Sequence, residues 1–338
     1  MVEIMPIAEF SGRRGWGYDG VDLFAPHHGY GGPDGLKRLI DACHARDPKL
    51  VRSRDAGGYG VDAAWADDWH HALHAALTGE RSGYYADFGS LSVLAKALRQ
   101  AWVYDGIWSQ HRGRVHGRAP CGLSGRQFVV STQNHDQVGN RAAGERSAVL
   151  MSDGRLRIAA ALLLTSPFVP MLFQGEEWGA AAPFLYFTDH ADPQLARSVS
   201  RGRRQEFAGF GWRPEDVPDP QDPATLERSK LDWSEAARES PASLLSWYRE
   251  LIAWRRRIPA LTDPRLDRIE TRCDEQGLLS IARGPVLVAV NIGPRDRTVA
   301  VDAASKLVAA SSATVERRGL QVILPPDTVA ILTNEGAA

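Results

Sequence analysis

The chain has 338 residues, enough for one large domain with a smaller one beside it. Hydrophobic residues make up 43% of it, which is typical of a globular protein and argues against disorder. Lys plus Arg number 40 and Asp plus Glu number 41, so the formal net charge of -1 gives no reason to expect nucleic acid or an anionic membrane as a partner. No apolar run reaches the roughly 18 residues that a membrane-spanning helix needs.

The cysteines and the first residues indicate the compartment. Cys43, Cys121 and Cys273 are isolated in the sequence, so they form neither a disulfide framework nor a metal cluster, and we expect reduced thiols. The N-terminus carries Glu3 and Glu9 and lacks the basic segment of a secretory signal. These features favour a cytoplasmic protein.

The first part of the chain is predicted to alternate strands and helices. Met1–Ile7 is predicted to be a buried strand, and a strand at the first residue indicates that upstream structure is missing. Pro33–Arg46 has the pattern of an amphipathic helix. A polar, Gly-rich stretch, Arg52–Gly60, then stands where a β/α barrel places its next strand. Ala63–Leu77 is predicted to be a helix, or a loop followed by a helix.

Four alternating elements follow, two helices and two strands. The predicted helices are Leu91–Val103 and Leu156–Thr165, and the predicted strands are Gln127–Ser131 and Phe168–Phe173. Ala180–Glu239 is rich in Pro, Asp and aromatic residues and is predicted to be a loop region. It is followed by an amphipathic helix over residues 243–257.

The residue pattern changes at about Thr262, where short runs rich in β-forming residues begin. The predicted strands are Leu278–Ala282, Val286–Asn291, Thr298–Val301, Leu320–Leu324 and Thr328–Leu332. Gly or Pro separates several of them, as expected of a small antiparallel domain. We therefore predict an α/β chain with two domains, a β/α part over 1–261 and a β domain over 262–338.

The densest polar cluster, Asn134–Arg141, directly follows the predicted strand Gln127–Ser131. At the carboxyl end of a barrel strand, a His–Asp pair points into the mouth where active sites lie. Asp can accept hydrogen bonds from sugar hydroxyls and His can donate one. Asn-His-Asp is also common in helix caps and ordered loops, so that alternative stands beside the first.

Other motifs share the spacing of one known group of enzymes. They are Arg14–Asp22, Ala25–His28, Tyr30–Gly35, Asp67–His71, His135–Arg141, Met171–Gly179 and Tyr186–His190. Together they resemble the α-amylase superfamily of glycoside hydrolases, and within it the maltooligosyltrehalose trehalohydrolase family. The resemblance extends over nearly the whole chain.

The resemblance implies a (β/α)8 TIM-barrel fold that is incomplete here. Only about four strands, barrel strands 2, 6, 7 and 8, are predicted before the C-terminal antiparallel β domain. The resemblance places a deletion junction near residues 46–48 and implies that an N-terminal portion is also missing. The chain is therefore expected to be a fragment of the family's full length.

The family uses a retaining mechanism with a nucleophilic Asp, an acid/base Glu and a second Asp that stabilises the transition state. The last of these matches Asp136, whereas the motifs that carry the nucleophile and the acid/base are absent from this sequence. Asp62, Asp67, Asp68, Glu176 and Glu177 have no spacing that sets them opposite Asp136 as substitutes. We therefore expect no hydrolysis by this chain.

The resemblance also implies a set of residues that border the substrate cleft. They are Tyr18, Asp19, Asp67, Asp68, Trp69, His70, His71, His135, Gln137, Val138, Gly139 and Asn140. Tyr18 is expected to stack on a sugar ring, although it could instead hold its Gly-rich loop in place. Asp67 and Asp68 could equally favour a helix N-terminus. His70 and His74 have the spacing of zinc ligands, but His71 replaces the usual Glu and no third ligand is apparent, so no metal is predicted.

Three functional hypotheses follow. By family, the chain is a hydrolase that uses water and no cofactor to cleave the α-1,4 bond next to the terminal trehalose of maltooligosyl-trehalose. Alternatively, it is a non-catalytic remnant that binds α-glucan weakly. A 1,4-α-glucan branching enzyme shares the barrel and the His–Asp motif, but Gly31–Gly35 and Asp67–His71 favour the trehalohydrolase family.

Overall fold

The computed structural model describes residues 8–10, 15, 16, 18, 20–26, 54–56, 60–208 and 213–334. Its α-helices are α1 (Asp67–Thr78), α2 (Leu91–Gln100), α3 (His135–Gly139), α4 (Ser147–Leu150), α5 (Asp153–Leu164), α6 (Pro193–Ala208), α7 (Pro223–Ser229) and α8 (Glu239–Arg257). Its strands are β1 (Ala8–Phe10), β2 (Gly20–Pro26), β3 (Ala64–Trp65), β4 (Asp105–Ser109), β5 (Arg114–Gly117), β6 (Phe128–Ser131), β7 (Val169–Met171), β8 (Ile269–Cys273), β9 (Leu278–Arg283), β10 (Val286–Asn291), β11 (Arg297–Ala300), β12 (Lys306–Ala310), β13 (Glu316–Arg318), β14 (Gln321–Leu324) and β15 (Thr328–Thr333).

The chain divides into two compact units, each assembled from three separate stretches. The first unit comprises Met1–Cys43, Gln133–Val149 and Ala180–Trp233. The second unit comprises His44–Thr132, Leu150–Gly179 and Ser234–Ala338. The domains predicted from the sequence, 1–261 and 262–338 with a junction near 46–48, stay predictions.

A parallel sheet in the order β3-β6-β7 lies in the second unit. Val129 in β6 stands opposite Trp65 on one side and Val169 on the other. Helix α1 follows β3, and α5 lies between β6 and β7 in the sequence, which is the β/α alternation that parallel strands require. The predicted strand Met1–Ile7 lies outside the described residues, so the number of barrel strands stays a prediction.

The prediction of only loop and helix over Ala63–Leu77 is wrong, because the structure has a strand there, β3. The structure places a two-residue strand at Ala64–Trp65 and starts α1 at Asp67. So short a strand leaves no alternating pattern in the sequence. It is defined by its pairing with β6, and the Ala66 N–H continues this by donating to the carbonyl of Val129 at 2.9 Å.

Helix α2 also ends before its predicted limit at Val103. Its N-terminus is capped by Ser90, whose side chain accepts a hydrogen bond from the Val93 amide. Its last helical residue is Gln100, because Ala101 adopts a left-handed φ of 63°. The amides of Val103 and Tyr104 then donate to Asp68 Oδ2 at 2.8 and 2.9 Å instead of continuing the helix.

The core of the second unit joins its helices to the C-terminal strands. Helix α1 buries Trp69, Leu73 and Leu77, and α5 buries Ile158 and Leu162. The same apolar cluster contains side chains from α2, α8, β9, β10 and β15. Burial of this apolar surface from water is the main stabilising term in folding.

The predicted β-rich runs after Thr262 form two antiparallel sheets. Their orders are β12-β15-β10-β9-β8 and β11-β14-β13. Strand β15 is buried along its whole length, because Val329 and Ile331 face the helical core while Ala330 and Leu332 join a second cluster with β14. Strands β8, β12 and β13 were not predicted, since charged and small residues break their apolar alternation.

The segment Ala180–Glu239 is not the loop region that the sequence predicts. It contains the 16-residue helix α6 and the shorter helix α7. Helix α6 (PQLARSVSRGRRQEFA) is dominated by polar and basic residues, so it lacks the apolar stripe on which helix prediction depends. Helix α7 is capped by Asp222, whose side chain accepts a hydrogen bond from the Ala224 amide.

Strands β4 and β5 form a hairpin that Asp87 anchors. The Asp87 carboxylate accepts hydrogen bonds from Tyr104 Oη at 2.7 Å, from Ser109 Oγ, and from the amides of Gln110 and His111. Burial raises the pKa of Asp87, but these hydrogen bonds outweigh it and hold the pKa below its ordinary value of 3.8. The turn is therefore fixed by one ionised side chain.

Replacing Asp87 with Ala is expected to loosen this hairpin. Four donors lose their acceptor, including the fully buried Ser109, so we expect a loss of about 1–3 kcal/mol in the unfolding free energy of the second unit. Amide hydrogen exchange should become faster in β4 and β5. The exposed Asp267→Ala serves as the control, and equal protection of the hairpin in both variants would contradict the anchoring role.

Candidate active site

Helix α3 explains how the Asn-His-Asp motif is built. Asn134 is the N-cap, and its Oδ1 accepts hydrogen bonds from the amides of Asp136 at 2.9 Å and Gln137 at 3.1 Å. Asn134 is buried, whereas the Asp136 side chain is exposed at the surface of the first unit. The capping alternative therefore applies to Asn134, and it leaves Asp136 available to a ligand.

His135 and Tyr18 form a hydrogen-bonded pair beside Asp136. Tyr18 Oη lies 2.7 Å from His135 Nε2, and the two rings are stacked with centroids 5.9 Å apart. Burial lowers the pKa of the His135 imidazole, and the charge of Asp136 opposes this shift only in part. A neutral His135 can share its proton with the Tyr18 hydroxyl, which fixes the orientation of an otherwise exposed tyrosine.

Trp16 is the packing centre of this site. Its indole is only 5% exposed, stacks on Phe184 at 5.1 Å and meets Tyr186 edge-on at 5.2 Å. It also approaches His135 edge-on at 6.0 Å. Gly139 leaves room for the indole, because a Cβ at that position would lie 1.8 Å from Trp16 Cη2. Trp16 is therefore held against α3 by ring packing.

These residues border an open cleft of about 400 Å³ in the first unit. Tyr18, Asp136 and Asn140 are the predicted site residues that line it. Asn140 Nδ2 donates to Asp136 Oδ1 at 3.2 Å. The cleft thus offers a carboxylate, an amide and an exposed aromatic ring, which suit a polar ligand with an apolar face.

Five residues that line the cleft were not predicted as site residues. They are Trp16, Tyr186, Val199, Arg203 and Glu206. Trp16 and Tyr186 stand in family-like motifs, which were the available signal. Val199, Arg203 and Glu206 lie on α6, where the sequence predicts a loop, so no side of a helix could be assigned to them.

Three of the residues predicted to bind the substrate are buried inside the protein. Gln137, Val138 and Gly139 are buried within α3, and Val138 is 2% exposed. They support the backbone that carries Asp136 and Asn140. Asp19 lies outside the described residues, and its predicted role stays a prediction.

The Asp67–His71 motif belongs to the second unit. Trp69 is fully buried, and His70 is buried with its ring nitrogens 2.7 Å from the Thr132 carbonyl oxygen and 3.1 Å from Tyr85 Oη. Trp69 and His70 therefore lie on the buried face of α1. Asp67, Asp68 and His71 instead line a narrow pocket of about 40 Å³, together with aromatic residues, Arg112 between β4 and β5, and residues 116–118.

His70 and His74 have the spacing of zinc ligands, but each is bonded to other groups of the protein. His74 Nε2 lies 2.8 Å from Glu80 Oε2, and both ring nitrogens of His70 have protein partners. In the part of the chain that the structure describes, no group of three His, Cys, Asp or Glu side chains is arranged to hold a metal ion.

Glu176 orders the loop that follows β7. Its Oε1 accepts a hydrogen bond from Tyr248 Oη at 2.9 Å, and its Oε2 accepts one from the Phe173 amide at 3.2 Å. Burial raises the pKa of Glu176 to about 7, and these hydrogen bonds oppose the shift only in part. Glu176 therefore ties the loop after β7 to α8 within the second unit.

Comparison with solved structures defines the class of protein. The chain is similar to a crystal structure named as an alpha amylase from Salmonella typhimurium, with a TM-score of 0.79 and 29% identity, covering 97% of this chain and 75% of that chain. The fold is therefore that of the α-amylase class of enzymes, whose catalytic domain is a TIM barrel. No known protein-family profile matches the chain.

Curated relatives narrow the class. A malto-oligosyltrehalose trehalohydrolase from Arthrobacter ramosus is 38% identical, covering 87% of this chain and 70% of its own length. Relatives of the same name have identities from 31 to 38%. The chain belongs to the malto-oligosyltrehalose trehalohydrolase family. A 1,4-alpha-glucan branching enzyme from Rhodospirillum rubrum is 32% identical over only 26% of the chain, so the branching alternative is not favoured.

The alignment length also shows that this chain lacks residues that the relative has. The alignment to the Arthrobacter ramosus relative spans 408 positions, whereas this chain has 338 residues. The relative therefore has residues inside the aligned region that have no counterpart here. Among the described residues, no helix combines the length and apolar character needed to cross a membrane.

Proposed function

We propose that this chain binds the glucan end of maltooligosyl-trehalose, or a related α-glucan oligosaccharide, without hydrolysing it at an enzymatic rate. The observation that carries the proposal is the cleft in which Asp136, Asn140 and Tyr18 stand together. By resemblance, Asp136 is the acid that orders sugar hydroxyls and supports an oxocarbenium-like transition state. That role needs neither a proton donor nor a nucleophile, so it is compatible with binding alone.

Hydrolysis requires groups that this sequence does not supply. A retaining glycosidase places a nucleophilic carboxylate and an acid/base carboxyl about 5–5.5 Å apart across the scissile bond. The family motifs for both are absent, and the excess of aligned positions over chain length supports their loss with an internal segment. We place that loss at the junction near residues 46–48.

Glu206 is the second carboxylate that lines the described cleft. Its Oε2 lies 3.3 Å from Arg203 Nη1, so it is engaged in an ion pair. A recruited acid would have to protonate the leaving oxygen while Asp136 stayed ionised. We assign Glu206 no catalytic role, and the assay below includes it as a separate arm.

The test is trehalose release from maltotriosyl-trehalose by the purified chain. We expect a rate at least about a thousandfold below that of a full-length relative, because loss of a nucleophile or acid removes several orders of magnitude. Binding of the same oligosaccharide, followed by calorimetry, should persist. Asp136→Asn and Glu206→Gln are the matched variants.

The outcomes separate the hypotheses. Turnover at an enzymatic rate that Asp136→Asn abolishes would show that other acids have been recruited, and its loss in Glu206→Gln would identify one of them. A folded chain with neither turnover nor binding would overturn the proposal. Branched glucan as the product would favour the branching reaction instead.

A further inference from the structure

Helix α6 presents one polar face to the cleft of Asp136. Val199, Arg203 and Glu206 are spaced four and three residues apart, so they lie on the same side of the helix, and all three line the cleft. Arg201, two residues before Arg203, is exposed and does not line it. The helix therefore forms one wall of the cleft, with α3 contributing Asp136 and Asn140.

Arg203 is fixed in this wall by contacts from several directions. Its guanidinium lies over the rings of Tyr186 at 5.2 Å and Phe207 at 4.5 Å. Nη1 lies 3.3 Å from Glu206 Oε2, and Nη2 donates to the carbonyl of Gly139. The side chain is 9% exposed, so its geometry is set before any ligand arrives.

The contact with Gly139 connects Arg203 to Asp136. Gly139 is the last residue of α3, and Asn140, which follows it, donates to Asp136 Oδ1 at 3.2 Å. The Asn140 amide also returns to the Asp136 carbonyl at 3.0 Å. A guanidinium that fixes the Gly139 carbonyl therefore fixes the short turn on which the Asp136 carboxylate is mounted.

The charges of the cleft indicate the class of ligand. Asp136 and Glu206 supply acceptors, Asn140 supplies a donor, and Tyr18 and Tyr186 supply ring faces. Two carboxylates beside one guanidinium disfavour an anion such as a phosphate or a carboxylate. A neutral polyol with vicinal hydroxyls can use donors and acceptors together, and its C–H faces can pack on the rings.

We propose that Arg203 is a positioning residue for Asp136, and that Glu206, which Arg203 holds by an ion pair, is the hydrogen-bonding group of α6 for a neutral glucosyl unit. This inference rests on the proposed function, since it takes the glucan to be the occupant of the cleft. A purely structural Arg203 would only attach α6 to α3. The two roles differ in whether Arg203 and Asp136 act on the ligand independently.

A double-mutant cycle on ligand affinity distinguishes them. Maltotetraose is titrated by calorimetry into the wild-type chain, Arg203→Met, Asp136→Asn and the double variant. We expect each single substitution to weaken binding by about tenfold, and the double variant to be little weaker than either single one. Arg201→Met is the matched control and should leave affinity unchanged.

Additive losses in the double variant, or an Arg203→Met variant that binds as the wild type does, overturn the positioning role. If Arg203→Met does not fold, Arg203→Lys keeps a charged donor and should retain an intermediate affinity that is coupled to Asp136 in the same cycle. A wild-type chain that binds no maltotetraose overturns the proposed function, and this inference with it.

Discussion

Replacing Trp16 with Ala is expected to lower the unfolding free energy of the first unit by about 3–5 kcal/mol, the usual range for emptying a buried aromatic site. The indole is 5% exposed and packs against the rings of Phe184 and Tyr186. Its removal also takes away one side of the cleft. Denaturant unfolding measures the first effect, and maltotetraose titration measures the second.

Trp108 provides the control for this experiment. It is 64% exposed on the β4–β5 hairpin, so Trp108→Ala should change stability by no more than about 0.5 kcal/mol. Equal losses of stability in the two variants would contradict the central role of Trp16 in the packing.

Gly139→Ala tests the same packing from the other side. The added methyl would lie 1.8 Å from Trp16 Cη2, so the indole must move, and a cost of about 1–3 kcal/mol is expected for overpacking. Gly202→Ala, on α6 with nothing within 4 Å of the new Cβ, should be neutral or stabilising by up to about 1 kcal/mol. Equal changes in stability in the two glycine variants would contradict the close contact between Trp16 and Gly139.

Glu176 is expected to make the second unit less stable as the pH rises from 5 to 8. Burial raises the pKa of Glu176 to about 7 from an ordinary 4.5, so between these values the folded carboxyl keeps its proton while the unfolded one has lost it. The stability that the group contributes is present below pH 4.5 and is lost as the pH passes through 7. The shift corresponds to about 3 kcal/mol.

Glu176→Gln should remove this pH dependence, because the amide oxygen can still accept from Tyr248 Oη and has no proton to lose. The quantity to compare is the difference between the two proteins at each pH, since the lowered pKa of His135 acts in the opposite direction. Glu250→Gln, which changes an exposed carboxyl on α8 of the second unit, should retain the wild-type slope. A wild-type slope in Glu176→Gln would show that another group is responsible.

The elements that could be predicted from the sequence are those whose signal is local. The strands Val286–Asn291 and Thr328–Thr333 and the helix α5 stand out as apolar runs, and the structure places them close to the predicted bounds. The Asn-His-Asp motif was recognisable because a polar cluster directly follows an apolar strand. The side-chain pairings of the site could not be derived in this way, since Tyr18 and His135 are 117 residues apart.

Two other features show where local patterns fail. His70 and His74 lie on the buried face of α1, although His is ordinarily counted as polar, because Tyr85 and Glu80 supply partners that the sequence does not reveal. Arg203 is held in part by the Gly139 carbonyl, 64 residues away in the sequence. Burial of polar groups depends on such distant partners, and a single sequence does not contain them.

Strand β15, buried on both of its faces, limits how this chain can be divided. One face of the five-stranded sheet is closed by the helices of the second unit and the other by the three-stranded sheet. A gene fragment that stops at residue 261 would leave the helical layer without the strands that cover it. The C-terminal strands are therefore no portable module, and recombination that exchanged them would have to preserve the side chains on the helices as well.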